Sequence, residues 1–183
     1  MLVTPVAFAQ APLMARPYFR EAETSPIVSS LAHVPELLEV AMPFVATVLG
    51  PSAIDARTKE LVIVRASMLQ GCSYCVQTHS VVALDSGVCA AELRALSDPG
   101  GWPGAFSSVA ERALLGWVDA VAGGAGHVPA AASATLREHF SDPEVVELTL
   151  LCAATVMLNR YCTALELPPS EFTLRRLAAE GLS

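Results

Sequence analysis

The sequence predicts an all-α protein, and three features support that prediction. Hydrophobic residues make up 53% of the 183 residues, with Ala and Leu abundant, whereas aromatic residues make up only 6%. This composition suits closely packed helices, because strands are enriched in aromatic and β-branched residues. Apolar residues recur at helical spacing along the chain. Even the β-like run Leu61–Val64 lies inside a longer helical pattern, so no strand is predicted.

The length fits one domain, which is preceded by a proline-rich start. Residues 1–30 contain four prolines and are predicted to form an N-terminal arm, and residues 31–183 are predicted to form the helical domain. Glycine, proline and capping residues, including Asp55 and Asp142 as N-caps, divide this domain into about seven or eight helices. Their expected ranges are 35–49 with Pro43 as a kink, 57–69, 72–86, 90–96, 108–122, 129–140, 142–166 and 170–180.

Charge and hydropathy argue against several classes of protein. The net charge is −7 and no cluster of Lys or Arg occurs, which disfavours binding to nucleic acids and to anionic membranes. The longest apolar run, Leu148–Leu158, is about half of the roughly 20 residues that cross a bilayer, so we expect a core or interface helix. The N-terminal segment lacks a positively charged region, which predicts no signal peptide and a cytoplasmic location. Five cysteines are an odd number and predict no secreted disulfide framework.

The stretch "GCSYCVQTHS" carries the residues best suited to chemistry. Gly71 ends one predicted helix, so Cys72 lies at the start of the next, where the helix dipole favours a thiolate. A spacing of three residues places Cys75 on the same face as Cys72, close enough for a disulfide. A further spacing of four adds His79 to that face, where its imidazole could take a proton from the Cys75 thiol.

Glu60 is the fourth candidate residue. It lies on an apolar helix face, so its carboxylate should point into the protein, where a charge needs a partner. Glu60 and His79 lie at similar distances from the turn at Gly71, about 15 Å along each helix axis. An antiparallel return could therefore bring Glu60 to His79 and form a proton relay.

Each of these residues also has a structural interpretation: His79 could be a satisfied core histidine, and Glu60 could lie on a solvated helix end. Cysteine is often buried for packing alone, and this is the expected role of Cys89, Cys152 and Cys162. The pair Cys72 and Cys75 could be structural as well. A zinc site that includes His79 is weaker, because no fourth ligand is evident. A thioredoxin-type fold lacks its βαβ context.

The pattern Glu60-x11-Cys72-x2-Cys75-x3-His79 resembles the active-site signature of the AhpD-like alkylhydroperoxidases, within the carboxymuconolactone decarboxylase superfamily. Tyr74, just before the second cysteine, also fits a common form of that signature. Three longer segments strengthen the resemblance, which covers about residues 31–168: "HVPELLEVAMPFVATVLGPS", "ARTKELVIVRASMLQGCSYC" and "SDPEVVELTLLCAATVMLNRYCTALELP".

The resemblance implies an all-helical subunit that assembles into homo-oligomers and works without a bound organic cofactor; no metal is expected either. It implies thiol peroxidase or disulfide oxidoreductase activity on a small hydroperoxide, with a dithiol of the thioredoxin or lipoyl type as reductant. Cys75 would attack, Cys72 would be its disulfide partner, and His79 and Glu60 would relay the proton. The residues themselves leave open which sulfur attacks, because the helix start favours Cys72 and the neighbouring His79 favours Cys75.

Other positions and other functions stay open. Asn159 and Arg160 could position a substrate carboxylate or shape the site, or they could anchor a helix at a subunit contact. Tyr74 stands where some alkylhydroperoxidases place a histidine, which bears on peroxidase efficiency. The alternatives are a carboxymuconolactone decarboxylase-like lyase, which needs no redox cysteines, a non-enzymatic redox-sensing helical oligomer, and a biosynthetic enzyme that has kept the fold.

Overall fold

The computed structural model describes residues 1–20, 24–98, 100–124 and 126–182. Within these ranges the chain forms nine α-helices and no β-strand, which confirms the predicted all-α class. The helices are α1 (Pro26–Leu31), α2 (Pro35–Leu49), α3 (Ala56–Gln70), α4 (Ser73–Asp85), α5 (Ala90–Ser97), α6 (Val109–Ala122), α7 (Ala130–Arg137), α8 (Asp142–Ala164) and α9 (Glu171–Ala179).

Some helix ends differ from the prediction because a different residue supplies the N-cap. Helix α1 begins inside the range assigned to the arm and ends one residue beyond it. It forms there because Ser25 caps it and Pro26 supplies the backbone angle of a first helical residue. Asp55 caps α3 as predicted. The predicted N-cap of α8 is wrong by one residue: Ser141 caps the helix in a reciprocal capping box with Glu144.

Helix α3 lies at the centre of the fold, with α4, α6 and α8 packed around it. Every residue from Lys59 to Ser67 is buried. Its apolar residues share one core with α6 and α8 and a second core with α5 and the loop that follows it. Its polar residues must therefore find partners on these neighbours, since a buried polar group without a partner costs free energy.

A tight turn connects α3 to α4 and reverses the chain. Gly71 adopts a left-handed conformation with φ of 67°, which glycine adopts without steric cost. The backbone N–H of Gly71 donates to the Met68 carbonyl, and that of Cys72 donates to the Ser67 carbonyl, at 3.1 Å each. This closure satisfies the last carbonyls of α3 and delivers Cys72 directly to the start of α4.

Helix α8 is, by length and composition alone, apolar enough to cross a membrane. Core helices of folded proteins pass the same test, and α8 packs against α2, α3, α4 and α6. Its Leu148, Leu151 and Cys152 are completely buried in the core, and its Glu147 forms an ion pair with Lys59, with 2.8 Å between Nζ and Oε1. These contacts agree with the predicted role of a core helix.

The ion pair between α3 and α6 yields a stability prediction. Arg65 is 3% exposed, and its guanidinium donates to both carboxylate oxygens of Asp119 and to the Leu96 carbonyl. Asp119→Ala leaves this buried cation without its counter-charge, so we expect the free energy of unfolding to fall by about 3 kcal/mol. Urea titration followed by circular dichroism measures it. As a control, Arg175→Ala removes the exposed pair with Glu171 and should change stability by less than about 0.5 kcal/mol. Equal effects of the two variants would contradict the assignment.

Candidate active site

Two cysteines occupy the first turn of α4, as the sequence predicts. Cys72 is the N-cap residue, and its sulfur accepts a hydrogen bond from the backbone N–H of Cys75 at 3.3 Å. Both side chains are buried, at 1% exposed for Cys72 and 5% for Cys75. The Cys72 sulfur thus occupies the position at which the helix N-terminus stabilises negative charge.

A third sulfur completes the group. Cys162 reaches it from α8, and the sulfur atoms of Cys72, Cys75 and Cys162 all lie within 4.8 Å of one another. All five cysteines are free thiols. Leu167 and several partly buried side chains pack around the three sulfurs: Ile27, Tyr74, Tyr161 and Leu165. These side chains bury much of the cluster, and Cys75 also borders the cavity described below.

The three thiols share one favoured site for negative charge. The pKa of Cys72 is lowered far below its ordinary value by hydrogen bonds from the Cys162 thiol, from the Cys75 thiol and from the Cys75 backbone. For Cys75 the contact with Cys162 lowers the pKa, but the contact with Cys72, burial and the charge on Cys72 together raise it to about 12. The pKa of Cys162 is raised, first by its bond to Cys72 and then by its bond to Cys75 and by burial. The N-cap position of Cys72 and the lowered pKa of its thiol both favour Cys72 as the thiolate of the reduced cluster.

Glu60 and His79 meet across the α3–α4 turn, as predicted. Nδ1 of His79 lies 3.0 Å from Oε2 of Glu60, whose side chain is 9% exposed. Because the carboxylate accepts hydrogen bonds only, Nδ1 carries the shared hydrogen. The other ring nitrogen of a neutral imidazole, Nε2, is then free to accept a proton.

Cys75 and His79 line the same small cavity. Its volume is about 20 Å³, which is enough for one small polar group of about the size of a water molecule. Its lining includes Leu49, Ile63, Ser67, Cys75, His79, Thr155, Leu158 and Asn159. Cys75, and not Cys72, lines it.

Asn159 gives this cavity an open hydrogen-bonding position. Its Nδ2 donates to the Ser67 hydroxyl at 2.9 Å, and the residue is 1% exposed. Its Oδ1 is buried and has no hydrogen-bond partner among the described residues. A buried amide oxygen without a partner is costly, so it is a natural contact for a ligand with an O–H group.

The remaining predicted positions differ in their relation to the site. Tyr74 packs against the cysteines, and burial raises the pKa of its hydroxyl. Arg160 is exposed at the surface, so the structure separates it from its sequence neighbour Asn159. Cys89 is also exposed, and the expectation that it is buried is wrong because it caps α5 at the surface.

Sequence reasoning missed Cys162, which it assigned to packing alone. The spacing of three residues from Asn159 is the signal that could have placed both side chains on one face of α8. The zinc set considered from the sequence, with His79 as ligand, is not the group that comes together. Among the described residues, the three sulfurs of Cys72, Cys75 and Cys162 are the group whose donor atoms lie close enough to hold a metal ion.

Comparison with known proteins shows the family of this chain. The carboxymuconolactone decarboxylase family model matches residues 35–120. A solved structure from Agrobacterium tumefaciens, a protein of unknown function suggested to be the antioxidant-defence protein AhpD, is 31% identical to this chain. The match covers 77% of this chain and 95% of that one, with a TM-score of 0.68. The chain is an AhpD-like member of the carboxymuconolactone decarboxylase superfamily.

Two further structures share the AhpD-like fold at lower identity. A peroxidase-related protein from Ralstonia eutropha, described as an alkylhydroperoxidase AhpD core, has a TM-score of 0.82 at 18% identity, covering 94% of this chain and 93% of that one. The debrominase Bmp8, solved in complex with 2,3,4-tribromopyrrole, has a TM-score of 0.80 at 21% identity, covering 98% and 97%. No protein with a curated description matches this chain in sequence.

The charge distribution in this AhpD-like site can be tested by titration. Since the pKa of Cys72 is lowered, we expect about one thiolate per chain at neutral pH, where a free cysteine, with a pKa of about 8.5, is almost fully protonated. The ultraviolet absorbance of the thiolate should disappear only in acid, as the pH falls through the lowered pKa. Cys72→Ser should lose this absorbance, whereas Cys152→Ser, at a buried thiol outside the cluster, should keep it. A thiolate that persists in Cys72→Ser would contradict the assignment.

Proposed function

We propose that this protein is a thiol-dependent hydroperoxidase that oxidises Cys72 and Cys75 to a disulfide. One observation carries the proposal: Cys75 lines a cavity with His79, and the favoured thiolate, Cys72, lies directly behind it. The thiol that meets the substrate and the thiolate that completes the disulfide thus occupy separate positions.

The first step oxidises Cys75. Nε2 of His79 takes the Cys75 proton while Glu60 stabilises the resulting imidazolium through Nδ1. The Cys75 sulfur attacks the outer oxygen of the hydroperoxide, so an S–O bond forms and the O–O bond breaks. The departing alkoxide receives the proton from His79 and leaves as an alcohol, and Cys75 becomes a sulfenic acid.

The second step closes the disulfide. The Cys72 thiolate attacks the Cys75 sulfur, so an S–S bond forms and the S–O bond breaks. The departing hydroxide takes a proton from solvent, equal to the one that Cys72 released on becoming a thiolate, and leaves as water. In sum, one hydroperoxide and two thiols give one alcohol, one water and one disulfide. An external dithiol of the thioredoxin or lipoyl type then reduces the protein by thiol–disulfide exchange.

Asn159 and Ser67 hold the hydroperoxide in this scheme. The free Oδ1 of Asn159 accepts a hydrogen bond from the O–H of the substrate, and the Ser67 hydroxyl orients the amide. Both groups line the same cavity as Cys75. This contact would direct the outer oxygen of the substrate toward the sulfur.

Reductive dehalogenation is the second candidate function. The debrominase Bmp8 aligns with almost the whole length of this chain, and a buried dithiol can supply two electrons to such a reaction as well as to a peroxide. A decarboxylase-like lyase activity is a weaker alternative, because such a reaction needs no redox cysteines and assigns no role to the buried thiols. A redox sensor would form the disulfide reversibly without turnover.

We also propose that the working form is a homo-oligomer. An apolar groove between α2 and α8 contains the exposed side chains of Leu37, Val40 and Met157, which are 58%, 73% and 51% exposed. An exposed apolar surface of this kind is typical of a subunit contact. A second copy of the chain would cover it beside the site, because Leu158 lines both the groove and the site cavity, and Tyr161 lines the groove and packs against the cysteines.

The two cysteine variants distinguish the roles of the sulfurs. Cys75→Ser should consume no organic hydroperoxide. Cys72→Ser should consume one equivalent and, with dimedone present from the start, be labelled at Cys75, as mass spectrometry of the peptides can show. Labelling of Cys72 in Cys75→Ser would reverse the assignment. Incubation of the reduced wild-type protein with a bromopyrrole tests reductive dehalogenation. If the protein debrominates this compound but consumes no hydroperoxide, the proposed peroxidase activity is wrong.

The proton relay makes a separate kinetic prediction. His79→Gln removes the base near Cys75, so the rate of the first oxidation should fall by about 10²-fold while the final number of oxidised thiols stays unchanged. Stopped-flow measurement with excess hydroperoxide gives this rate. Gln77→Ala, on the same helix, serves as the control and should react like the wild type. An unchanged rate in His79→Gln would exclude the relay.

A further inference from the structure

We infer that Cys162 is a third redox thiol of this site. It replaces Cys75 in the disulfide with Cys72 and so returns Cys75 to its reduced form. The inference rests on the proposed function in one respect only, namely that the Cys72–Cys75 pair becomes oxidised. It adds a residue that the signature of the site does not contain.

The geometry places Cys162 in reach of both other sulfurs. The three sulfur atoms lie within 4.8 Å of one another, and a disulfide bond of about 2.05 Å requires only a modest approach from this distance. Cys72 and Cys75 belong to one turn of α4, whereas Cys162 comes from α8. Cys72 therefore has one potential partner on its own helix and one on the neighbouring helix.

The surroundings of Cys162 differ from those of a cysteine that serves only in packing. Cys162 is 1% exposed and belongs to the same buried cluster as Cys72, Cys75 and Leu167. Cys152 shows what a packing cysteine looks like on the same helix: it is completely buried in the main hydrophobic core, and burial alone raises its pKa. Cys162 instead directs its thiol at two other thiols.

The proposed step is a thiol–disulfide exchange. Once Cys72 and Cys75 have formed a disulfide, the Cys162 sulfur attacks the Cys72 sulfur. A new bond joins Cys72 to Cys162, the bond between Cys72 and Cys75 breaks, and Cys75 leaves as a thiolate that takes the proton given up by Cys162. No net oxidation occurs, so no further reagent is needed.

The electrostatics of the cluster favour this order of events. The raised pKa of Cys162 has its largest cause in the bond to Cys72. When Cys72 enters a disulfide, it loses its negative charge and this cause disappears. Cys162 is thus held as an unreactive thiol in the reduced protein and becomes more acidic after the first oxidation.

The exchange has a measurable consequence. Cys75, which lines the cavity, is again a thiol while the protein still holds its first disulfide. It can then react with a second hydroperoxide and form a sulfenic acid, for which no partner thiol remains. One subunit would therefore take up two equivalents of hydroperoxide without a reductant.

The experiment counts these equivalents in a Cys89→Ser background, which removes the exposed cysteine. With excess organic hydroperoxide and dimedone, the parent protein should consume two equivalents and keep one thiol, Cys152. Peptide mapping should find a Cys72–Cys162 disulfide and dimedone on Cys75. Cys162→Ala should consume half as much, one equivalent, and contain only the Cys72–Cys75 disulfide. The matched control Cys152→Ala, at a buried cysteine of the same helix, should again consume two.

One equivalent in the parent protein, with Cys72–Cys75 as its disulfide, would overturn the inference. A second test does not depend on peroxidase activity. The Cys75→Ala variant treated with diamide should form a Cys72–Cys162 disulfide. The double variant that carries both Cys75→Ala and Cys162→Ala should form no internal disulfide. If the wild type consumes no hydroperoxide but this disulfide forms, the proposed peroxidase fails and the role of Cys162 stands. If the disulfide does not form, the role of Cys162 is wrong.

Discussion

The burial of α3 is the constraint on which the rest of this structure depends. A helix surrounded by α4, α6 and α8 must give each of its polar side chains a partner, and each neighbour supplies one. Arg65 pairs with α6, Glu60 with α4, and both Lys59 and Ser67 with α8. These contacts fix the positions of three helices relative to one another, and two of the same contacts form the walls of the site.

Structural and chemical roles therefore coincide in this site. The Glu60–His79 pair satisfies a buried carboxylate and, in the proposed reaction, takes the proton from Cys75. The turn at Gly71 ends α3 and also places Cys72 where the N-terminus of α4 favours a thiolate. A chain that folds in this way has Cys72 at a helix N-terminus, a Glu60–His79 pair and a small cavity before any substrate arrives, so the proposed reaction needs little reorganisation.

Local sequence determines much of this arrangement, and tertiary packing determines the rest. The helices and the contact between Glu60 and His79 could be predicted, because helical spacing and an antiparallel turn are local geometry. Cys162 could not be assigned, since its meeting with Cys72 depends on how α8 crosses α4, a contact between residues 90 positions apart in the sequence. Arg160 shows the converse: adjacency to Asn159 in the sequence places it on a different face of the helix.

In the proposed reaction the reduced site converts a hydroperoxide to an alcohol and oxidises its own thiols. This stoichiometry can be measured by mixing the reduced wild-type protein with one equivalent of cumene hydroperoxide, without oxygen or reductant, and determining the cumyl alcohol formed and the thiols lost. We expect one alcohol for every two thiols lost. Hydroperoxide that remains intact beside five free thiols would contradict the proposed reaction.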